Sequence, residues 1–314
     1  MIMDYHHIAA MPREVAFYLN CQPGKVYVDG TLGGCGHALD ICQKMSPGGI
    51  LIGIDQDVDA VRNAAVVLKE FAPHVHIFHG NFIRIQDFLS QLNITGVDGV
   101  LLDLGLSLHQ IAQSGRGFSF KADEPLDMRM DITSDMTAAD IIRSFSESAL
   151  ADLFFRYGEE RYSRAIARKI VESRKSQVIS SSKQLTDIVL GALPASARYR
   201  QKIHPATRVF MALRIAVNDE LEMLKNFLSQ VTDLLNPGGR LCVLSFHSLE
   251  DRMVKQHMRQ LQSKCQCPPD FPRCVCGKVP TARVLTSRAV RPTENEIQLN
   301  PMARSTRLRV LEKL

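Results

Sequence analysis

Through the first hundred residues, short apolar runs alternate with segments of helical spacing, and this constrains the fold more than any other feature. KVYVDG (25–30), GILIGID (49–55), 75–79 and VDGVLLDL (97–104) have strand length, and 38–44, 58–71 and 83–92 between them read as helices. Runs that are apolar on both faces of a strand ask to be buried on both. Strands of that kind separated by helices predict a parallel sheet covered on both sides, an α/β fold.

The alternation stops after the fourth strand. Residues 107–206 contain no convincing strand, only a polar stretch with SGRGFSF and PLDMRMD, then helical candidates at 137–144, 146–156, 159–175 and 182–191. A crossover does not need a hundred residues, so this segment reads as an inserted all-helical domain. Residues 207–235 read as one long amphipathic helix stopped by Asn236-Pro237-Gly238-Gly239. A strand at 240–246, a helix at 250–261 and a last strand at 307–311 follow. The division is 1–106 and 207–314 for the sheet domain and 107–206 for the insertion. A chain of 314 residues is about two domains long. No apolar run approaches the ~20 residues of a membrane span, and the N-terminus lacks a basic start followed by an apolar stretch. No membrane association and a cytoplasmic location are therefore expected. The net charge of +5 is compatible with a polyanionic partner.

The first strand runs into Asp29-Gly30-Thr31-Leu32-Gly33-Gly34-Cys35-Gly36-His37. Small residues between a strand and a helix let the backbone approach a ligand closely. The pattern is not GxGxxG, so the pyrophosphate fingerprint is missing and a nicotinamide dehydrogenase is disfavoured. Asp55 ends the second strand about twenty residues on, where an acid can bond a ribose diol, and Asp103 ends the fourth. In an open parallel sheet the carboxyl ends of the strands form the ligand crevice, so Asp29, Asp55 and Asp103 line one rim. A ribose-bearing ligand without a required pyrophosphate points to S-adenosylmethionine.

These blocks resemble the bacterial 16S ribosomal RNA (cytosine-N4)-methyltransferases. The likeness covers Asp29–His37, IDQD (54–57), HGNF (79–82), LLDLGLS (101–107), RGFSF (116–120), PLDMRMD (125–131), YGEERYSRAIARKI (157–170) and HPATRVFMALRI (204–215). It continues through PGGRLCVLSFHSLEDRMVK (237–255) and NPMARSTRLR (300–309). The resemblance implies a Rossmann-like methyltransferase sheet with an inserted helical domain. It also implies methyl transfer from S-adenosylmethionine to the N4 amine of a cytidine in the decoding centre of 16S ribosomal RNA, position 1402 in the usual ribosomal numbering. By motif position, the cofactor contacts are Gly34, Cys35, Gly36, His37, Asp55, Phe82, Asp103 and Gln110. The family usually has glycine where Cys35 stands; a Cβ there requires an ordinary φ or carries strain. The small subunit is the implied partner, and a homodimer is left open.

Cytosine N4 is a poor nucleophile because its lone pair is delocalised into the ring. A carboxylate accepting an N4–H bond returns density to nitrogen, and Asp103 is the first choice for it, with His247 in the Ser245–Ser248 turn as runner-up. Arg161, Arg164, Arg168 and Lys175 recur at helical spacing and are RNA-binding candidates; Arg198, Arg200, Lys202, Arg208, Arg304, Arg307 and Arg309 add further cations. Arg129 is expected to pair with Asp127 or Asp131. Cys265, Cys267, Cys274 and Cys276 leave one residue inside each pair, tighter than usual zinc spacing, so no metal is assigned. Two other functions fit the same residues: a DNA amino-methyltransferase, and a cofactor-binding ribosome-assembly factor whose binding matters more than its chemistry.

Overall fold

The computed structural model describes residues 9–72, 74–199, 203–268, 271 and 273–314, the side chains of 198 and 199 excepted. It divides into two compact units, one of residues 1–105 with 222–314, the other of residues 106–221.

In the first unit, strands β1 (Val26–Asp29), β2 (Ile50–Asp55), β3 (Val75–His79), β4 (Val97–Asp103), β5 (Leu235–Ser245), β6 (Ala282–Val284) and β7 (Arg307–Lys313) form one sheet in the order β3-β2-β1-β4-β5-β7-β6. The first five are parallel, and β7 is antiparallel to both β5 and β6. The sheet is thus mixed rather than parallel. The C-terminal strand returns from the opposite end, a direction that one strand's composition does not encode. The period-two alternation of a strand sorts the apolar residues onto both faces. Val28, Ile52, Val100, Leu102 and Val243 pack on one side with Phe88, Phe227 and Val231. Tyr27, Leu51, Leu101, Cys242 and Leu244 pack on the other with Val15, Ile41 and Met45. The order in which strands are added reverses between β1 and β4, the switch point at which such sheets open a crevice.

The second unit is helical: Leu108–Ala112, Ala138–Ser144, Glu147–Gly158, Ser163–Ser173, Ser182–Ala192, Ala195–Tyr199 and Ala206–Val217. Phe154, Ile166, Ile170, Leu185, Val209 and Leu213 are among its buried core. Capping boxes start three of these helices, at Ser107/Gln110, Thr137/Asp140 and Ser181/Gln184, each satisfying backbone N–H groups a helix start leaves open. Gly158 lets two helices cross closely; a Cβ there meets the Arg208 carbonyl at 2.7 Å.

The expected helix at 207–235 is two helices, Ala206–Val217 and Glu220–Leu234, broken at Asn218-Asp219, where Asp219 has φ 50°. The first packs into the helical core through Val209, Phe210 and Leu213, so the boundary falls at 221/222 rather than 206/207. Asn236–Gly239 does not precede the strand; it lies within β5, where the pairing register slips between Val97 and Gly99. No helix of the described residues is long and apolar enough to cross a membrane.

Candidate active site

The carboxyl ends of β1, β2 and β4 bring Asp29, Asp55 and Asp103 to one rim. Asp29 Oδ1 accepts from Thr31 N (3.1 Å), and its Oδ2 is buried with no hydrogen-bond partner. Burial first, then the charges of Asp103 and Asp55, hold this carboxyl well above the ordinary Asp range. The turn that follows is tied to β2. Asp55 Oδ2 accepts from Gly33 N (2.9 Å) and Oδ1 from Asp57 N (2.8 Å), so one carboxylate fastens two strand-to-helix turns. Burial pushes Asp55 up to about 6 against these two bonds.

Within the glycine turn, Gly33 (φ 45°) and Cys35 (φ 64°) are left-handed. Cys35 therefore takes the strained alternative, at a cost of roughly 1–2 kcal/mol for a residue with a Cβ. Its side chain is fully buried, with Asn63 Nδ2 3.8 Å from its sulfur. Cys35 caps the helix Gly36–Met45, where the first backbone N–H groups point out of the helix as a ready anion cradle. Gly36 has no room for a side chain, since a Cβ would meet that of Ala9 at 2.8 Å.

His37, in the first turn of that helix, is buried with Nε2 3.7 Å from Asp103 Oδ2. The backbone N–H of Asp103 donates to Thr31 Oγ1 (2.7 Å), which pins the end of β4 to the turn after β1. Asp103 Oδ1 is buried without a hydrogen-bond partner. Burial, and then the charge of Glu250, push Asp103 up to about 7. Neither Thr31 nor Glu250 is among the sequence-predicted site residues, yet Thr31 holds the backbone of Asp103 and the charge of Glu250 acts on its carboxyl.

Gly105 (φ 106°) follows, and a Cβ there would stand 3.2 Å from the Phe246 ring. Phe246 is partly buried at the end of β5. Its N–H and that of His247 donate to Glu250 Oε2 (2.9 and 3.3 Å). His247 caps the helix Ser248–Gln262: its Nδ1 accepts from Glu250 N (3.4 Å), and Nε2 lies 3.1 Å from Glu250 Oε1. Both ring nitrogens thus face Glu250. Phe82 is buried edge-on against Phe227 at 5.3 Å, on the core side of the β3 end.

Gln110 belongs to the helical unit, where its Oε1 accepts from Ser107 N (3.0 Å). Arg161, Arg164, Arg168 and Lys175 are all exposed, on or beside the helix Ser163–Ser173, whose opposite face buries Ile166 and Ile170. Arg161 lies over the Tyr162 ring at 4.8 Å, and Arg168 is 3.6 Å from Glu147. Arg129 pairs with Asp127 through two bonds of 2.8 and 2.7 Å. Arg307 and Arg309 both bond Asp251 and Arg208 lies 3.6 Å from the buried Glu160, so these three cations have internal partners. Arg200, Lys202 and the side chain of Arg198 lie outside the described residues.

The rim is acid-lined and desolvated at its three carboxyls, with backbone N–H groups at one helix start. Two buried carboxylate oxygens lack partners. This donor set suits a cationic ligand with a ribose diol and an amino-acid tail, and the chain is an S-adenosylmethionine-dependent methyltransferase with a Rossmann-like fold. The profile of the MraW methylase family matches residues 4–314, and the chain belongs to that family. It is 56% identical over 308 residues to the ribosomal RNA small subunit methyltransferase H of Desulforapulum autotrophicum, covering 98% of this chain and 99% of the relative. The protein of the same name from Desulfosudis oleivorans is 53% identical over 312 residues, covering 99% and 100%. Among solved structures, an S-adenosylmethionine-dependent O-methyltransferase of Thermotoga maritima aligns at TM-score 0.43 and 10% identity, covering 99% of this chain and 68% of that one.

Proposed function

We propose that the protein transfers a methyl group from S-adenosylmethionine to the N4 amine of a cytidine in the decoding centre of 16S ribosomal RNA, at position 1402, within the small subunit. The observation that carries this reading is Asp103. It is a buried carboxyl at the switch point of the sheet, with one oxygen free of hydrogen bonds and an affinity for protons matched to neutral pH. The names of three nearly full-length relatives, each a ribosomal RNA small subunit methyltransferase H, support RNA over DNA.

The bound donor supplies an activated methyl on a sulfonium. The remaining tasks fall to this chain's residues, which align the partners and manage charge. Asp55 bonds the ribose hydroxyls with the lone pairs left after Gly33 and Asp57. The N–H groups at the start of Gly36–Met45 receive the carboxylate of the amino-acid tail. Asp103 accepts a hydrogen bond from the cytosine N4 amine, raises its nucleophilicity and takes its proton after transfer. His37 holds the Asp103 carboxylate in orientation. His247, engaged with Glu250, acts as a positioning residue for the turn that carries Phe246, and Phe246 stacks on the base. Because the target lies in folded RNA, the base must be extruded to reach this rim. Arg161, Arg164, Arg168 and Lys175 supply phosphate contacts.

The test is incubation with labelled S-adenosylmethionine and undermethylated small subunits, free 16S RNA or DNA, followed by mass mapping of the modified nucleotide. Label on the amine of that one cytidine supports the proposal. Label on DNA, or on another nucleotide alone, overturns it.

A further inference from the structure

Away from the rim, residues 263–281 connect the helix Ser248–Gln262 to β6 and contain no helix or strand among those described. The loop has no apolar core of its own: Phe271, Val275 and Val279 are all exposed. A loop of this length and composition is ordered only if something other than hydrophobic burial ties it. Four side chains are placed to do so. The sulfurs of Cys265, Cys267, Cys274 and Cys276 all lie within 4.8 Å of one another. Cys274 and Cys276 are 3.5 Å apart, and Cys276 and Cys265 4.0 Å. A tetrahedral zinc ion with Zn–S bonds of about 2.3 Å sets its sulfurs about 3.8 Å apart. The spacing of one residue within each pair argues against a metal on sequence alone. That objection falls once the chain folds back and presents the two pairs to each other.

Backbone donors already face the sulfurs. Cys267 N lies 3.4 Å from Cys265 Sγ, and Gln266 N lies 3.4 Å from Cys276 Sγ. Gly277, at φ 59°, turns the chain directly after the last cysteine. Lys264, Arg273 and Lys278, against Asp270, give the loop sequence a positive balance that suits the two net negative charges of a zinc tetrathiolate.

We propose that Cys265, Cys267, Cys274 and Cys276 bind one structural zinc ion that staples this loop. Four thiolates close the coordination sphere and leave no open position, so the ion holds the fold and takes no part in chemistry. Soft thiolates select zinc over magnesium or calcium. Binding releases the thiol protons, and its free energy is gained as loop ordering.

The test measures metal in the intact chain, purified reduced and without chelator, by elemental mass spectrometry. About one zinc per chain is expected. The double variant Cys265→Ser/Cys274→Ser is expected to fall below a tenth of that, whereas Cys21→Ser, outside the cluster, retains it. Cobalt added to the zinc-stripped wild type is expected to give a thiolate-to-metal charge-transfer band and tetrahedral d–d bands, a readout that survives if the double variant fails to fold. Several results would overturn the proposal: no zinc together with no such cobalt spectrum, iron in place of zinc, disulfides among the four in the native protein, or full zinc in a folded double variant. None of these readouts depends on methyl transfer.

Discussion

Replacing Asp103 by Asn separates the chemistry of this carboxyl from its burden on the fold. Burial and the Glu250 charge raise it from 3.8 to about 7. The neutral form is therefore the one the folded state favours. The associated stability is complete below about pH 4, declines as pH rises, and is lost once pH passes 7. At about 1.36 kcal/mol per pH unit, the loss reaches about 4 kcal/mol as an upper figure. Asn is neutral at every pH and nearly isosteric. In urea denaturation without donor, Asp103→Asn is expected to match the wild type near pH 4, gain on it steadily through pH 7, and hold a constant advantage of about 2–4 kcal/mol above that. Methyl transfer by the same variant is expected to fall by about 100-fold or more, the scale of a lost acid–base group. A stability difference that does not change with pH would refute the burial argument. Full activity would refute the catalytic one.

Asp55→Ala removes the acceptor of Gly33 N and Asp57 N as well as the proposed ribose contact. Each stranded N–H costs about 1–3 kcal/mol, so donor affinity by calorimetry is expected to drop at least 100-fold, with Asp55→Asn intermediate; unchanged affinity excludes the role. The affinity for the sulfonium donor relative to its neutral thioether product is expected to rise between pH 6 and 8, as Asp103 ionises beside the cation. A flat ratio across that range counts against Asp103 as a neighbour of the sulfonium. Charge reversal at Arg164 and Arg168 is expected to weaken RNA binding and lower its salt slope by roughly 1–2 while leaving donor affinity intact; equal slopes for variant and wild type would remove these residues from the RNA surface. Gly105→Ala forces a Cβ into the left-handed region 3.2 Å from the Phe246 ring. A loss of about 1–3 kcal/mol in thermal unfolding is expected, and an unchanged melting temperature would show that the turn has slack.

The rim was legible in sequence because its signals are local. A glycine turn after a strand, and acids at three strand ends, need no knowledge of distant contacts. The helical insertion was legible from the missing strands, but its far boundary was not. Asn218-Asp219 breaks the helix without Gly or Pro, and the only cue was the tolerance of Asn and Asp for left-handed backbone. The direction of β7 and the three-residue β6 depend on pairing partners far along the chain. His247-Ser-Leu-Glu250 has the spacing of a capping box, a cue that places His247 in the turn. Arg307 and Arg309 looked like free cations; alternation along β7 does not reveal that Asp251 waits across the packing. The spacing of the four cysteines describes each pair alone, and the fold sets the distance between pairs.

A crystal structure with S-adenosylmethionine bound tests the central claim most directly. The donor is expected across the ends of β1, β2 and β4, with its ribose hydroxyls on Asp55, its tail at the start of Gly36–Met45 and its methyl turned toward Asp103. A donor bound elsewhere, or a rim filled by the protein's own side chains with Asp55 and Asp103 out of reach, would contradict it.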